Sequence, residues 1–330
     1  MSQHVLITGG AGFIGSHLTR RLLGRGERIT VLDDFNDYYD PRRKRRNVAA
    51  FLGHPDYRLI EGDIRDAVLV DRLFAGKIGD GWGSFDSVVH LAARAGVRPS
   101  LKEPILYEDV NCIGTLRLLE AARHHGPRNF VFGSSSSVYG INEKVPFSEE
   151  DRIDLPISPY ATTKRTGELL CFNYSHLYQL RCSCLRFFTV YGPGQRPEMA
   201  IHKFTELLAR GEKVPMYGDG ETRRDYTYVD DIVDGIVAAH DLAPAFEIFN
   251  LGGAETTRLS ELIHTLAEEL AVEPRIEYLP DQPGDVPITY ADVSKAFRLL
   301  GYSPKVPIRE GLRRFVAWFK TTPDPEAHPA

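Results

Sequence analysis

A glycine-rich turn between a short apolar segment and a helical pattern limits most strongly what this chain can fold into. Residues 5–8 are apolar and partly β-branched, the sequence Gly9-Gly10-Ala11-Gly12-Phe13-Ile14-Gly15 follows at once, and residues 16–23 repeat like an amphipathic helix. The order strand, glycine turn, helix predicts a βαβ unit that binds a pyrophosphate at a helix N-terminus. Gly10, Gly12 and Gly15 have the spacing of a dinucleotide fingerprint. We therefore expect cofactor contacts from Gly9, Gly12, Phe13, Ile14 and Gly15.

An acidic residue follows the next predicted strand. Residues 29–32 form that strand, and it ends in Asp33. A carboxylate about 20 positions beyond the glycine turn ordinarily binds a ribose 2′-hydroxyl. Because it would repel a 2′-phosphate, Asp33 favours NAD over NADP. The alternative is a βαβ turn that binds no ligand.

Strand and helix patterns alternate through the first half of the chain. This alternation predicts an α/β fold with a doubly wound parallel sheet, Rossmann-like in type. Further strands are predicted at 58–61, 86–91 and 129–132, and helices at 66–75, 106–125 and 159–178. Because the C-terminal ends of parallel strands line the ligand crevice, four residues beyond such ends are candidate cofactor contacts: Asp63, Ile64, Ala92 and Ala93. For these four the alternative is a tight turn without a ligand.

The alternation loosens beyond residue 190, where proline, glycine and aromatic residues crowd the segment 191–197. We expect an NAD-binding domain over residues 1–190 and a smaller C-terminal α/β substrate-binding lobe over 191–320, with some of the chain crossing back. Helical patterns recur at 201–210, 230–240, 259–270, 293–300 and 308–320. Residues 321–330 have the composition of a disordered tail.

Composition narrows the partners. A net charge of −5 gives no reason to expect nucleic acid, and the basic run at residues 42–46 is predicted to be a solvated loop or a contact with an anionic ligand. The four cysteines lack the spacing of a metal site or disulfide framework, which favours a reducing compartment. No apolar run reaches the roughly 18 residues that a membrane span needs. We expect a cytoplasmic protein without metal, membrane or nucleic-acid partners.

Tyr160 and Lys164 lie four residues apart in the predicted helix 159–178, and that spacing puts both on one face. A free phenol has a pKa of about 10, and a neighbouring ammonium group stabilises the phenolate. Ser135 follows a predicted strand, so its hydroxyl is expected at the same edge of the sheet. Taken alone, the tyrosine and lysine are better explained as two surface residues on one helix.

The glycine turn, Asp33, Ser135, Tyr160 and Lys164 together resemble the extended short-chain dehydrogenase/reductase family, over nearly the whole chain. Within it the resemblance is greatest to NAD-dependent UDP-sugar 4-epimerases. It implies a tightly bound NAD that takes a hydride from sugar C4 and returns it to the other face of a 4-keto intermediate. It also implies that Tyr160 is the general acid/base, that Lys164 lowers its pKa and holds the nicotinamide ribose, and that Ser135 hydrogen-bonds the reacting oxygen. A homodimer through helices 106–125 and 159–178 is implied as well.

Ser136 and Ser137 bear on the type of reaction. Sugar dehydratases that resemble this chain carry an Asp-Glu pair after the position of Ser135, and the decarboxylases carry Glu at the position of Ser137. Loss of water across C5 and C6 needs a base and an acid, and two serines supply neither. The serine run therefore favours epimerisation, with both side chains as substrate contacts.

The resemblance also suggests how the nucleotide is held. Arg224, in Arg224-Asp225-Tyr226, matches a family motif whose arginine contacts the UDP diphosphate. Tyr217 aligns with an aromatic residue that stacks on uracil, although a core tyrosine is the alternative. UDP-galactose epimerases carry arginine where this chain has Gln282, so we expect Arg196 to supply the missing phosphate contact. Asp285, in the same segment, is a further candidate.

The identity of the sugar depends on a few positions. Thr189 replaces the asparagine of galactose epimerases, and residues 36–40 lengthen the loop after Asp33, as in UDP-glucuronate 4-epimerases. Thr289 stands where a bulky tyrosine closes some sugar pockets, which leaves room for a C5 carboxylate or an N-acetyl group. Arg186 is either a structural ion-pair partner or a substrate contact. The prediction is conversion of UDP-glucuronate to UDP-galacturonate; UDP-glucose/UDP-galactose, N-acetylhexosamines and a non-catalytic dinucleotide-binding module are the alternatives.

Overall fold

A computed structural model describes residues 2–78, 82–280 and 286–322. The strands of this described part are, in chain order, β1 His4–Thr8, β2 Arg28–Asp33, β3 Tyr57–Glu61, β4 Ser87–His90, β5 Asn129–Ser135, β6 Cys182–Phe187, β7 Thr189–Tyr191, β8 Lys213–Tyr217, β9 Arg223–Arg224, β10 Tyr226–Tyr228, β11 Phe246–Leu251, β12 Thr257–Arg258 and β13 Arg275–Leu279. The α-helices are α1 Phe13–Leu23, α2 Pro41–Ala49, α3 Ala67–Phe74, α4 Val97–Lys102, α5 Pro104–Tyr107, α6 Gly114–His125, α7 Pro159–Tyr178, α8 Ala200–Ala209, α9 Val229–Leu242, α10 Leu259–Leu270, α11 Ser294–Leu300 and α12 Ile308–Thr321.

Seven parallel strands form the central sheet, in the order β3-β2-β1-β4-β5-β6-β11. The strand order reverses direction between β1 and β4. Ligands of open α/β sheets bind at such a reversal, outside the carboxyl ends of the strands. This sheet confirms the predicted doubly wound, Rossmann-like fold.

Apolar residues of the central strands are buried on both faces of the sheet. Successive residues of a strand point to opposite faces, so Leu6 and Ile7 of β1 belong to two different core layers. Both are fully buried, as are Ile29 and Val31 of β2. A strand that is covered on both faces carries a continuous apolar run. This is why residues 5–8 could be predicted as a strand from the sequence.

The chain crosses back to the cofactor side from the predicted substrate lobe. Strand β11 pairs with β6 at the edge of the large sheet, and α9 packs against α1. The smaller strands lie outside this sheet in three pairs, β10 with β7, β12 with β9 and β13 with β8. The division at residue 190 remains a prediction.

The basic run at residues 42–46 is helical, so the loop prediction is wrong. Asp40 accepts a hydrogen bond from the Arg42 amide, and Pro41 occupies the first turn, which starts α2. Lys44 lies 3.0 Å from Asp33, and Arg45 lies 2.6 Å from Glu61. Acidic partners in other elements thus neutralise two of the five charges of this run, which favours the helix.

The predicted helix 106–125 is interrupted by a π-helical turn, Glu108–Ile113, between α5 and α6. Asn111 in this turn is buried, accepts a hydrogen bond from the Arg94 amide and donates to Thr163 of α7. A π-turn of this kind often occurs at functional sites. Here it joins the loop after β4 to the helix that carries Tyr160.

Some predictions fall outside the described residues, namely those on Gln282, Asp285 and the tail beyond residue 322. Within the residues that the structure describes, no helix is both long and apolar enough to cross a membrane.

Candidate active site

A cavity of about 810 Å³ opens at the carboxyl edge of the central sheet. That volume suits a sizeable ligand, because small-molecule sites typically measure about 300–1,000 Å³. Most of the predicted site residues line it: Gly9, Gly12, Phe13, Ile14, Gly15, Asp33, Asp63, Ile64, Ala92, Ala93, Ser135, Ser136, Ser137, Tyr160, Lys164, Thr189, Arg196, Arg224 and Thr289. Tyr217 does not belong to the lining, although the Arg98 guanidinium, which does, lies 5.7 Å from its ring centre.

The glycine turn is too tight for side chains. Gly9 has a φ of 70°, and a Cβ there would lie 2.7 Å from the Ala92 nitrogen. A Cβ on Gly15 would lie 2.4 Å from the Gly9 oxygen. Helix α1 begins directly after Gly12, and the first amides of a helix have no partner within the helix. The turn therefore fits the pyrophosphate of a dinucleotide.

Asp33 is held rigidly at the end of β2. Its Oδ2 accepts from the Ala11 amide at 3.1 Å, and its Oδ1 accepts from the Phe35 amide and the Lys44 ammonium at 3.0 Å each. The side chain is buried. A fixed carboxylate at this edge of the cavity suits a ribose hydroxyl.

Asp63 has a partner already within the protein. Hydrogen bonds from Arg65 lower the pKa of Asp63, and Arg65 also reaches Asp109 at 2.6 Å. Ile64, Ala92 and Ala93 line the same cavity without a charge. Their contacts with a cofactor remain predictions.

Helix α7 starts where its sequence directs it. The Ser158 hydroxyl accepts a hydrogen bond from the Ala161 amide at 3.1 Å, and Pro159 occupies the first helical position. Tyr160 therefore lies in the first turn and Lys164 in the second, and both line the cavity. The local serine-proline signal thus fixes where the phenol stands.

Tyr160 lies between groups with opposite effects on its ionisation. Burial raises the pKa of Tyr160, while a hydrogen bond with Ser135 and the positive charge of Arg196 lower it. The Tyr107 ring meets the Tyr160 ring edge-on, with 6.3 Å between the ring centres. Ser135 and Tyr160 line the same cavity, and Arg196 is an additional cation near the phenol. The predicted hydrogen bond of Ser135 to the reacting oxygen remains a prediction.

Lys164 points beneath the tyrosine. Its ammonium donates to the Gly133 carbonyl at 2.8 Å and lies 5.9 Å from the centre of the Tyr160 ring. Burial lowers the pKa of Lys164 to about 8. The predicted lowering of the tyrosine pKa by Lys164 stays a prediction.

The serine run begins within β5, which extends three residues beyond its predicted end. Ser134 and Ser135 continue the strand because they pair with Arg186 and Phe187 of β6. The Ser135 oxygen then accepts from the Ser137 amide at 3.2 Å and starts a 3₁₀ turn, Ser136–Tyr139. The Ser137 oxygen is buried and makes no hydrogen bond within the protein, although it lines the cavity. Buried hydroxyls are ordinarily paired, so this atom indicates a ligand.

The sugar-side residues come from separate segments of the chain, which hydrogen bonds of Asp225 hold together. Its carboxylate accepts from the Gly253 and Ala291 amides at 2.6 and 3.2 Å, and its own amide donates to the Thr289 carbonyl at 2.9 Å. Thr189 pairs with Tyr226 in the adjoining two-stranded sheet. Arg224 lines the cavity beside them, while its Nη1 donates to the Arg223 carbonyl at 2.9 Å.

A cluster that the sequence did not reveal surrounds Arg196. Its guanidinium lies 5.6 Å from the centre of the Tyr38 ring and 3.0 Å from Glu198. Tyr38 and Tyr107 both donate to the Ala95 carbonyl, at 2.8 and 2.7 Å. These rings connect Arg196 to Tyr160. In the sequence, this cluster was indicated only by the lengthened loop at residues 36–40. That loop did not indicate which residues from other segments would contact it.

Comparisons with known proteins agree with this geometry. Residues 5–252 match the model of the NAD dependent epimerase/dehydratase family. UDP-glucuronate 4-epimerase 4 of Arabidopsis thaliana is 43% identical over 333 residues, which cover 96% of this chain and 75% of the plant protein.

Two solved structures are similar over nearly their full length. A crystal structure of UDP-glucuronic acid 4-epimerase from Bacillus cereus, in complex with UDP-glucuronic acid and NAD, has a TM-score of 0.88 and 34% identity, with 96% of this chain and 99% of that chain covered. UDP-glucose 4-epimerase from Thermotoga maritima, with UDP-glucose, has a TM-score of 0.86 and 34% identity, with 96% and 98% covered. The resemblance seen in the sequence is confirmed. This chain therefore belongs to the NAD dependent epimerase/dehydratase family.

Proposed function

We propose that this protein is an NAD-dependent UDP-sugar 4-epimerase whose substrate is UDP-glucuronate and whose product is UDP-galacturonate. The observation that carries the proposal is that Ser135, Tyr160 and Lys164 line one cavity, with the Lys164 ammonium 5.9 Å from the centre of the Tyr160 ring and serines at positions 136 and 137. This set of side chains serves proton transfer at one hydroxyl. The similar proteins from Arabidopsis thaliana and Bacillus cereus, named for the same activity, support it.

In this reaction, bound NAD supplies reversible hydride acceptance at C4. Tyr160 takes the proton of the 4-hydroxyl and later returns it to the 4-keto intermediate, while Ser135 hydrogen-bonds the same oxygen. The Lys164 charge stabilises the phenolate and, by resemblance, holds the nicotinamide ribose. The glycine turn and Asp33 hold the pyrophosphate and the adenosine ribose.

The intermediate must present its other face before the hydride returns. Ser136 and Ser137 offer hydroxyls and no acid at this point of the cavity, and the Ser137 oxygen has no partner inside the protein. Hydroxyl groups exchange hydrogen bonds between two sugar orientations without protonating a leaving group. This favours epimerisation over dehydration.

A carboxylate on the sugar suits the charge of the site. Arg196 lines the cavity, and its positive charge lowers the pKa of Tyr160. An arginine in such a position binds a carboxylate by charge-assisted hydrogen bonds. Thr189 and Thr289 add hydroxyls to the lining of the cavity. Arg224 is left to contact the diphosphate, and Tyr217 to stack on the uracil ring.

A substrate panel tests the proposal. Purified protein is incubated with UDP-glucuronate, UDP-glucose and UDP-N-acetylglucosamine, and each 4-epimer is quantified by chromatography. We expect UDP-galacturonate to form fastest, with NAD retained on the protein. Faster conversion of UDP-glucose would replace the proposed substrate. If no epimer formed from any of the three and no NADH absorbance appeared, the protein would be a non-catalytic dinucleotide-binding module.

We also propose a homodimer, located in the cytoplasm. The helices named from the sequence expose large apolar side chains: Ile113, Leu169 and Phe172 are 44, 47 and 48% exposed. Apolar surface of this kind on two neighbouring helices suits a second copy of the chain. Sedimentation at micromolar concentration is expected to give a dimer, and a monomer there would refute it.

Four free cysteines suit a reducing compartment, which supports the proposed cytoplasmic location.

A further inference from the structure

The basic helix α2 is a feature that the proposed reaction leaves unexplained. Lys44, the middle residue of the basic run 42–46, is buried although it carries a charge. The ammonium lies 3.0 Å from Oδ1 of Asp33 and 3.5 Å from Oδ1 of Asp34. Lys44, Asp33 and Asp34 all line the cavity. A cation therefore stands beside the carboxylate that is expected to bind the ribose.

The acceptor positions of Asp33 are nearly all used. A carboxylate offers about four lone-pair positions. Oδ1 receives two donors, the Phe35 amide and Lys44, and Oδ2 receives the Ala11 amide. One acceptor position remains, on Oδ2. Lys44 and the Phe35 amide fix Oδ1 and thereby the orientation of the whole carboxylate. The remaining acceptor position on Oδ2 therefore has a fixed direction, which suits a hydrogen bond from a ribose hydroxyl.

The Lys44 ammonium could also bind a phosphate group once the charge of its partner Asp33 is removed. A 2′-phosphate carries about −1.5 to −2 charges, so an intact Asp33 repels it at close range. Removal of the Asp33 charge leaves a buried ammonium at this place in the cavity. Among the described residues its remaining ion-pair partner is then Asp34, whose side chain is 33% exposed. Lysine is a common phosphate ligand as a point charge.

We infer that Lys44 is a specificity-determining residue for the cofactor: it orients Asp33 toward the ribose of NAD, and it becomes a 2′-phosphate site when Asp33 is neutralised. This rests on the proposed use of NAD. It assigns a role to one member of the basic run, whereas Arg45, the next residue, is not part of the cavity lining and pairs with Glu61. Discrimination between the two dinucleotides then depends on one ion pair.

The test compares retained nucleotides in holoenzymes. Wild type, Asp33→Asn, Lys44→Met and Asp33→Asn/Lys44→Met are challenged with excess NADP, desalted, and analysed for bound NAD and NADP by chromatography. Melting temperatures with each nucleotide provide a second readout. Asp33→Asn/Arg45→Met is the matched control, because it removes the neighbouring charge of the same helix. Asp33→Ser replaces Asp33→Asn if the asparagine variant does not fold.

We expect Asp33→Asn to raise the NADP-to-NAD ratio about tenfold, since Asp34 still holds part of the lysine charge. Adding Lys44→Met cancels that gain, whereas adding Arg45→Met preserves it. Lys44→Met alone lowers NAD retention and still excludes NADP. The inference is overturned if the gain survives Lys44→Met, if Asp33→Asn and Asp33→Ser show no gain, or if Lys44→Met retains NAD like wild type. A wild type that retains neither nucleotide overturns the proposed function instead.

Discussion

Arg186 and Glu168 form a doubly hydrogen-bonded ion pair inside the protein. Nε of Arg186 lies 2.8 Å from Oε1 of Glu168, and Nη2 lies 2.9 Å from Oε2. Both side chains are buried, and Oε1 also accepts from the Ser134 hydroxyl at 2.7 Å. Glu168 follows Lys164 by one turn of α7, so this pair fixes the catalytic helix against the strands β5 and β6. Of the two roles considered for Arg186, the structural one is therefore observed.

We predict that Arg186→Met destabilises the protein by about 3 to 5 kcal/mol, because it removes the buried counterion of Glu168 and leaves only the partly exposed Arg165 beside the carboxylate. Arg165→Met is the matched control. Arg165 pairs with the same carboxylate at 3.1 Å but is 29% exposed, so its loss should cost about 1 kcal/mol or less. Urea unfolding measures both free energies.

The double variant Glu168→Leu/Arg186→Met should recover much of that loss, because an apolar pair needs no counterion. Equal costs for Arg186→Met and Arg165→Met would show that burial of the pair has no energetic effect. A double variant less stable than Arg186→Met would show that the Ser134 contact dominates.

Tyr160→Phe should reduce kcat by at least about 10²-fold, the lower end for a lost general acid/base, while the bound cofactor is retained. The phenyl ring keeps its contact with Tyr107, and only the hydroxyl that hydrogen-bonds Ser135 is removed. Tyr178→Phe, at the exposed end of the same helix, is the control and should match wild type. Single-turnover assays with nucleotide analysis measure both properties, and near wild-type turnover in Tyr160→Phe would remove the tyrosine from the mechanism.

The sequence carried local signals of structure and few signals of tertiary pairing. Ser158 and Pro159 mark the start of α7 because caps act within one turn, so the placement of Tyr160 was predictable. Helix α2 was missed because Lys44 and Arg45 are neutralised by Asp33 and Glu61, which lie in other elements.

Contacts across loops were equally hidden from the sequence. Tyr38 and Tyr107 meet at the Ala95 carbonyl, although they come from separate segments of the chain. Arg196 was expected at the diphosphate because of a gap elsewhere in the family pattern. Its place beside Tyr38 depends on how the substrate lobe packs, which no local pattern records.

Arg196→Gln separates the two roles considered for this residue. If the guanidinium binds the sugar carboxylate, KM for UDP-glucuronate should rise about tenfold or more, since a charge-assisted hydrogen bond contributes about 1.5–3 kcal/mol. KM for UDP-glucose should then change little. Equal increases for both substrates would place Arg196 at the diphosphate, which the two substrates share. Steady-state kinetics measures these KM values. The control is Glu198→Gln, which breaks the same ion pair but keeps Arg196, and so shows whether loss of the pair itself changes KM.

His90 makes the stability of the fold sensitive to acid. It is fully buried between two hydroxyls, with Nδ1 2.7 Å from Thr8 and Nε2 2.9 Å from Thr115. Burial, and secondarily the charge of Lys164, lower the pKa of His90 to about 3. The unfolded chain therefore binds this proton more readily between about pH 6.5 and 3. The contribution of neutral His90 to the free energy of unfolding is therefore fully present above pH 6.5 and is lost as the pH falls.

Between pH 7 and pH 5 this histidine alone should cost about 2 kcal/mol of unfolding free energy, because each pKa unit corresponds to about 1.4 kcal/mol. His90→Asn should remove that part of the pH dependence. Burial also lowers the pKa of His4, to about 4. The pH dependence of the unfolding free energy that His4 causes should therefore remain in the His90→Asn variant. His124→Asn, at an exposed position, is the control and should leave the slope unchanged. Urea unfolding at both pH values decides the matter, and identical slopes for wild type and His90→Asn would contradict the buried, neutral state of His90.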